Sequence, residues 1–433
     1  MKQHLRRSRR VFFHPEAWRI RLFFWFSAIL VGVIAALFAI GSEHADHGFH
    51  FILARYEWAS LVITPLGLIL IAWLTRRFFP GSQGSGIPQT IAAMQMHARS
   101  GVLSIRIAIG KVLLTLLGLA CGASIGREGP TVHIGASLMY ALGRYARYTP
   151  RYMDKGVILA GGAAGIAAAF NTPLAGIVFA IEELSRSFEQ RSSGVILLAV
   201  VISGVTASVL LGQYHYFGTF EVTMPDTSAW LAVPICGIAG GVLGGLFSQG
   251  LISGSKKLRN TASKHPYSLA FTCGLIIAIT GLMTQTSIHG TGYDAAKHII
   301  NNGGTAGYDP YFPFAKMLAT TASYLSGIPG GIFAPSLATG AGIGLDLGHW
   351  FPFAPLSVMI LLGMTGYFSG VVQSPITAFV IVMEMTNNQS MMLAVIATSL
   401  LGTGASRLVC PEPIYRTLAL GFLASQEPTT KKA

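Results

Sequence analysis

The stretch Gly126-Arg127-Glu128-Gly129-Pro130 closes one apolar run and opens the next. An Arg and a Glu in such a place are costly, because a charge at bilayer depth costs at least ~2.5–3.5 kcal/mol. The neighbouring residues show how the chain tolerates them. Gly126 and Gly129 free the backbone from helical geometry. Pro130 suits the first position of a new helix, where its missing N–H is not needed. The amides near Glu128 are then uncapped donors at a helix N-terminus, which is a ready anion site. A carboxylate at an anion site is a candidate gate.

Composition sets the solvent. The 433 residues are 52% hydrophobic and only 11% charged, against roughly 25% charged in a soluble chain. Mean hydropathy is +0.56. These values describe a polytopic membrane protein, and the expected fold class is all-α. The formal charge of +13 would suggest nucleic acid in a soluble protein; here it reads as Lys and Arg filling cytoplasmic loops. The basic Lys2, Arg6, Arg7, Arg9 and Arg10 place the N-terminus in the cytoplasm. The run from Leu22 to Ile40 is too long for a signal-peptide core and reads as a retained span. Cys121, Cys236, Cys273 and Cys410 form no close pair and no metal-ligand spacing.

Along the chain, Glu43, His44, Asp46, His47 and His50 follow the first span. His44 and His47 have metal-pair spacing, but a polar loop on the far face is the preferred reading. Later apolar runs are broken by Gly or Pro at mid-run, the pattern of discontinuous helices that line a cavity or lie buried in protein. The second half repeats the first. Gly84-Ser85-Gly86 is matched by Gly290-Thr291-Gly292, 206 residues on. Gly126 is matched by Gly330, 204 residues on, which opens Gly330-Gly331-Ile332-Phe333-Ala334-Pro335. Asn171-Thr172-Pro173 with Glu182 is matched by Gln373-Ser374-Pro375 with Glu384, 202 residues on. Two internal repeats broken at matching places point to a transporter whose site lies between the repeats. The expected division is a basic N-terminal segment 1–20, a first membrane repeat 21–215, a linker 216–228, a second repeat 229–406, a C-terminal helix 407–424 and a tail 425–433. The short polar tail from Gln426 leaves no room for a cytosolic regulatory domain.

These motifs resemble the ClC family of chloride channels and chloride/proton exchangers. Gly84-Ser85-Gly86-Ile87-Pro88 resembles its first signature, Gly126 to Pro130 its second and Gly330 to Pro335 its third, in the family's order and with a Tyr in the final helix. The likeness covers about residues 20–420. It implies many tilted, broken helices in two inverted repeats, and a homodimer with one pathway per subunit. It further implies that the Ser85 hydroxyl and the Tyr415 phenol donate to a central chloride, completed by the amides of Ile332 and Phe333. Amides of Arg127, Glu128, Gly129 and Ala334 would form an outer site, which the Glu128 side chain can itself occupy. Amides of Gly84 and Ser85 would hold an inner ion. The residue types fit the task, since neutral donors and helix termini bind chloride without trapping it.

By this resemblance Glu128 is the external gate and Glu183 the internal proton glutamate, which favours chloride/proton antiport over a passive gated channel. Gln89 stands where many relatives have Glu. Partners are chloride, protons and the lipid bilayer, without cofactor, metal or nucleic acid, and the expected place is a bacterial inner membrane. Taken singly, the residues read more plainly: Ser85 as a turn or cap, Tyr415 as an interfacial anchor, Glu183 as a partner of Arg186. Glu182 and Glu384 read as structural. Gly122-Ala123-Ser124-Ile125-Gly126 matches the nucleophile elbow of acyl hydrolases, but that motif needs a strand before the Ser, and the flank reads as membrane helix. No Walker A sequence supports ATP-driven pumping.

Overall fold

A computed structural model describes residues 15–96, 99–145, 154–185, 190–212, 216–218, 222–284, 288–302 and 308–424. The N-terminal basic residues, Arg186 and the tail from Gln426 lie outside these. Among the described residues the regular structure is helical.

Eight helices make the first half: α1 (Pro15–Arg55), α2 (Ser60–Arg77), α3 (Ile87–Gln95), α4 (Ile105–Ala120), α5 (Glu128–Tyr145), α6 (Asp154–Phe170), α7 (Pro173–Phe179) and α8 (Gln190–Leu211). Eight more follow in the same order: α9 (Ala232–Lys264), α10 (Pro266–Thr284), α11 (Tyr293–Asn302), α12 (Phe312–Leu325), α13 (Phe333–Trp350), α14 (Leu356–Val372), α15 (Pro375–Thr386) and α16 (Met392–Val409). A last helix, α17 (Ile414–Ala424), stands outside the repeat. It starts at Ile414 rather than 407, because Pro411 and Pro413 cannot continue α16.

Among the described residues six helical segments are long and apolar enough to cross a membrane, and they pair between halves: Trp18–Arg55 with Ser228–Lys264, Glu57–Arg77 with Pro266–Thr284, and Gly194–Leu211 with Met392–Val409. Inside this shell sit shorter, fully packed helices. α5 lies on α6 and α13 on α14. Glycine lets these pairs touch at matching places: Gly135 meets Gly161 in the first half, and Gly340 meets Gly363 in the second. Such backbone contact takes the place of a hydrophobic driving force in lipid.

The two halves are inverted and interlocked. Gly126 and Gly331 form an antiparallel bridge, each amide donating to the other's carbonyl at 2.7 Å. The helix starts Glu128 and Phe333 are 205 residues apart, which makes Gly331, one place beyond the expected Gly330, the equivalent of Gly126 and puts the bridge on a pseudo-two-fold axis. The turns into α7 and α15 obey the same symmetry. Asn171 and Gln373 both take left-handed backbone, with φ of 57° and 54°.

The polar cluster after the first span is not a loop. α1 continues without a break through Glu43, His44, Asp46, His47 and His50 to Arg55. The side chains satisfy themselves on the helix: His44 Nδ1 donates to Ile40 O at 2.8 Å and His50 Nδ1 to Asp46 O at 2.9 Å. His44 and His47 do not form a metal group with other ligands among the described residues.

Candidate functional site

Three broken helices start near the bridge. α5 begins Glu128-Gly129-Pro130 and α13 begins Phe333-Ala334-Pro335. In each, two amides precede a proline, and helical geometry gives those amides no acceptor within the helix. Pro130 thus stands third in its helix, not first, and Glu128 itself opens α5. The third helix, α3, starts behind Gly86, whose φ of +102° only glycine adopts freely. A Cβ at Gly86 would also lie 2.8 Å from Gly129 O, so the starts of α3 and α5 are in backbone contact.

The loop that carries Ser85 is held by a buried cation. Lys111 Nζ, on α4, donates to Ser82 O at 2.9 Å, Gln83 O at 3.4 Å and Gly84 O at 2.9 Å. Lys316, on α12, does the same in the second half, to Ile288 O at 2.8 Å, His289 O at 3.2 Å and Gly290 O at 3.0 Å. Neither lysine was singled out in the sequence. The signal was present: each is a charge inside an apolar helix, at the spacing of the other repeat landmarks. One expected donor is otherwise engaged. The Gly84 amide donates to Ile328 O at 3.1 Å, so the backbone bridge takes it and the Ser85 amide is left for the inner role.

Ser85 Oγ and Tyr415 Oη are buried and have no hydrogen-bond partner among the described residues. Two orphaned hydroxyls are costly unless a ligand receives them. α17 packs on α3, which brings Tyr415 to the Ser85 end of the site. The wall is aromatic: the Phe333 ring meets Tyr415 at 5.7 Å, Phe368 at 5.0 Å, Phe179 at 5.9 Å and Phe170 at 6.3 Å. The donor set is neutral hydroxyls and amides beside aromatic rings. Such donors suit a halide-like anion.

The Glu128 side chain folds back over Gly126, where an added Cβ would collide with Oε2. Its carboxylate faces its own amide and that of Ala334. It therefore lies among the amides expected to make the outer anion site. Arg127 is half-buried beside it.

Glu182 and Glu183 are adjacent in sequence but serve different ends. The chain passes through a wide π turn, Ala180–Ser185, after α7. Glu183 is buried and accepts from Ser374 Oγ at 2.5 Å. Tyr415 is within electrostatic reach of both Glu183 and Glu128. Glu182 instead caps α15, accepting from Ile376 N at 3.1 Å and Thr377 N at 2.6 Å. Glu384 returns the contact at α7, from Leu174 N at 3.1 Å and Ala175 N at 2.7 Å.

A cavity of about 250 Å³ opens on the other side of Glu128, lined by Asp46, His47, Arg127, Tyr216, Tyr293 and Asp294 among others. Sequence reading placed Tyr216 only in the inter-repeat linker, and no local signal marked it. Ser124 is no nucleophile: it follows a helix, its hydroxyl pairs with Thr320 Oγ1 at 2.9 Å, and its amide donates to Ser323 Oγ at 2.9 Å.

Fold and site together define a class: a membrane protein of two inverted repeats whose broken helices aim their N-termini at a buried, anion-compatible chamber. The chain belongs to the ClC family, matching the model described as voltage gated chloride channel over residues 66–407. It is 31% identical over 432 residues to the H(+)/Cl(-) exchange transporter ClcA of Vibrio cholerae, covering 93% of this chain and 90% of that one. It is 29% identical to ClcA of Yersinia pseudotuberculosis, covering 92% of this chain and 88% of that one. Among solved structures it resembles a slow cyanobacterial Cl-/H+ antiporter, with a TM-score of 0.80, 26% identity, and 95% and 99% of the two chains covered.

Proposed function

We propose that this chain exchanges chloride for protons across a membrane, with Glu128 as the external gate and Glu183 as the internal proton relay. The observation that carries the reading is the place of the Glu128 carboxylate, folded among the amides of α5 and α13. Ionised, it occupies an anion position; protonated, it loses its claim to that position and leaves. Proton and chloride then exclude each other at one point, which is the minimum for exchange. Glu183 supplies the second proton station, buried beside Ser374 and electrostatically linked to Glu128 through the Tyr415 region. The names of the ClcA relatives and of the cyanobacterial antiporter support exchange. The family description, a voltage gated chloride channel, supports the alternative of a passive gated channel on the same site.

Chloride at the centre is held by Ser85, Tyr415 and the amides of Ile332 and Phe333. The outer position uses amides of Arg127, Glu128, Gly129 and Ala334, and the inner one the Ser85 amide. The N-terminus lies in the cytoplasm of a bacterial cell, the protein sits in the inner membrane, and the cavity beside Asp46 and His47 opens outward. The working unit is a homodimer. Leu174 and Ile376, at the starts of α7 and α15, are exposed next to the half-exposed carboxylates of Glu384 and Glu182. Lipid would not tolerate those carboxylates, whereas a second copy would cover them.

The test is proton movement in proteoliposomes driven only by a chloride gradient, with voltage clamped. Uphill proton flux is expected in the wild type. Glu128→Ala is expected to abolish proton movement while chloride flux persists, and Glu183→Gln to do the same from the inner side. Chloride flux without protons in the wild type would select the channel.

A further inference from the structure

The segment just after α8 places a tyrosine against the gate. Tyr216 Oη donates to Glu128 Oε1 at 3.4 Å, and both groups are buried. The ring has no freedom to wander. It meets Tyr293 of α11 at 4.9 Å, Phe217 at 5.0 Å and Phe170 of α6 at 5.4 Å, each edge to face. The Arg127 guanidinium lies 5.9 Å from its centroid. The segment is itself pinned, because the Phe217 amide donates to Met385 O of α15 at 3.0 Å. Phe217 also stacks on Tyr293 at 5.9 Å. Four elements thus converge to fix one hydroxyl. Tyr216 also lines the cavity on the far side of the gate, so it stands between that cavity and the Glu128 carboxylate.

We propose that Tyr216 is a positioning residue for the gate, whose fixed hydroxyl holds the ionised Glu128 carboxylate in the closed position from the outer side. The inference rests on the reading of Glu128 as the gate. An O–H donor favours the ionised form of its carboxylate partner. Moving the carboxyl out of the anion position breaks this contact, so the hydroxyl opposes opening. A tyrosine suits the task because two dihedrals set its position and the ring cage fixes both.

Other charged and titratable groups face the same region. Arg127 lies on the gate's own segment, and Tyr415 of α17 and Glu183 after α7 lie on the inner side. Across the outer cavity stand Glu43, Asp46 and His47 of α1, with Tyr293 and Asp294 of α11. His133, one turn further along α5, is occupied with Val102 O at 3.0 Å. The test therefore has to isolate the contact with Glu128 from titration of these neighbours.

Chloride efflux from proteoliposomes is measured against external pH for wild type, Tyr216→Phe, Glu128→Gln and the double variant. The phenylalanine keeps the ring and its cage and removes only the hydroxyl. Without the donor the carboxyl protonates more readily, so the midpoint of flux moves to higher pH by about 0.5–1 unit. The double variant superimposes on Glu128→Gln, because the hydroxyl then has no ionised partner to hold. A Tyr216→Phe profile that coincides with wild type overturns the proposal. So does an upward shift that survives in the Glu128→Gln background, which would assign the effect to Asp46, His47 or another cavity group. A wild-type pH profile in Glu128→Gln alone would instead remove Glu128 as the gate, and Tyr216 with it.

Discussion

Single residues decide what the chamber will hold. Ser85 and Tyr415 each bring a buried hydroxyl with no partner among the described residues, and full cations stay outside the contact set. Lys111 lies against the Ser85 loop, and its ammonium is spent on three carbonyls before α3. It therefore shapes the Ser85 loop and does not clamp an ion. Tyr415→Phe should weaken chloride binding by about 10–150-fold, the worth of one hydrogen bond to a charged group, as read by titration calorimetry in detergent. Lys111→Met should act differently. It orphans the Ser82 carbonyl, while Gln83 O keeps Gln89 Nε2 and Gly84 O keeps the Gly330 amide, and should lower stability by about 1–3 kcal/mol. Thermal unfolding in detergent checks this, and Lys316→Met should show a loss of similar size in the mirror loop.

At the level of elements, the broken helices explain why so many prolines and glycines sit in apolar runs. A helix that stops halfway through the molecule exposes amides that lipid cannot satisfy. α5 and α13 turn theirs toward the chamber. α7 and α15 have theirs closed by carboxylates, each from the opposite half: Glu384 on α7 and Glu182 on α15. The two kinds of helix start are thus told apart by whether a fixed acid caps them. In α5 the acid is Glu128, and it is the one proposed to leave. Glu384→Ala should cost about 1–2 kcal/mol, the value of a good N-cap with its share of the helix dipole. The same loss is expected for Glu182→Ala, measured by denaturant-induced loss of helicity. An unchanged midpoint in both would show that the caps are not holding the halves together.

For the whole molecule, the pseudo-two-fold relation has mechanical force. Each half supplies the cap for the other's α7-type helix, and the Gly126–Gly331 bridge ties the starts of α5 and α13. The chamber is therefore made by neither half alone. The exposed apolar surface at Leu174 and Ile376 extends this logic to a second copy. Replacing both by Gln should convert the proposed dimer to monomer, as judged by cross-linking and light scattering in detergent. Since each chain holds a complete set of Ser85, Tyr415, Glu128 and Glu183, chloride transport should survive that separation.

Much of this was legible in the sequence because broken helices write themselves in Gly and Pro, and because a repeat writes itself twice. Membrane class, the repeat that mirrors Glu182 in Glu384 and the ionisable residue at the head of α5 follow from local composition and spacing, and the three signatures from their resemblance to the ClC family. Three things did not. The run from Glu43 to His50 looked like a loop, because polarity was taken as an exit from the helix; the side chains satisfy themselves along α1 and the helix goes on. The lysines at 111 and 316 were passed over despite their place in apolar helices, and what their ammonium groups hold, the carbonyls of loops 26 to 29 residues away, shows only in the fold. Tyr216 carried no signal at all. It lies in a stretch without periodicity, and its meaning comes from Glu128, Phe170, Tyr293 and Met385, which are far apart in the chain. Sequence by itself determines where a helix must break, since backbone conformation is a local property. Which hydroxyl faces which carboxylate is a matter of long-range packing, and only the tertiary structure decides it.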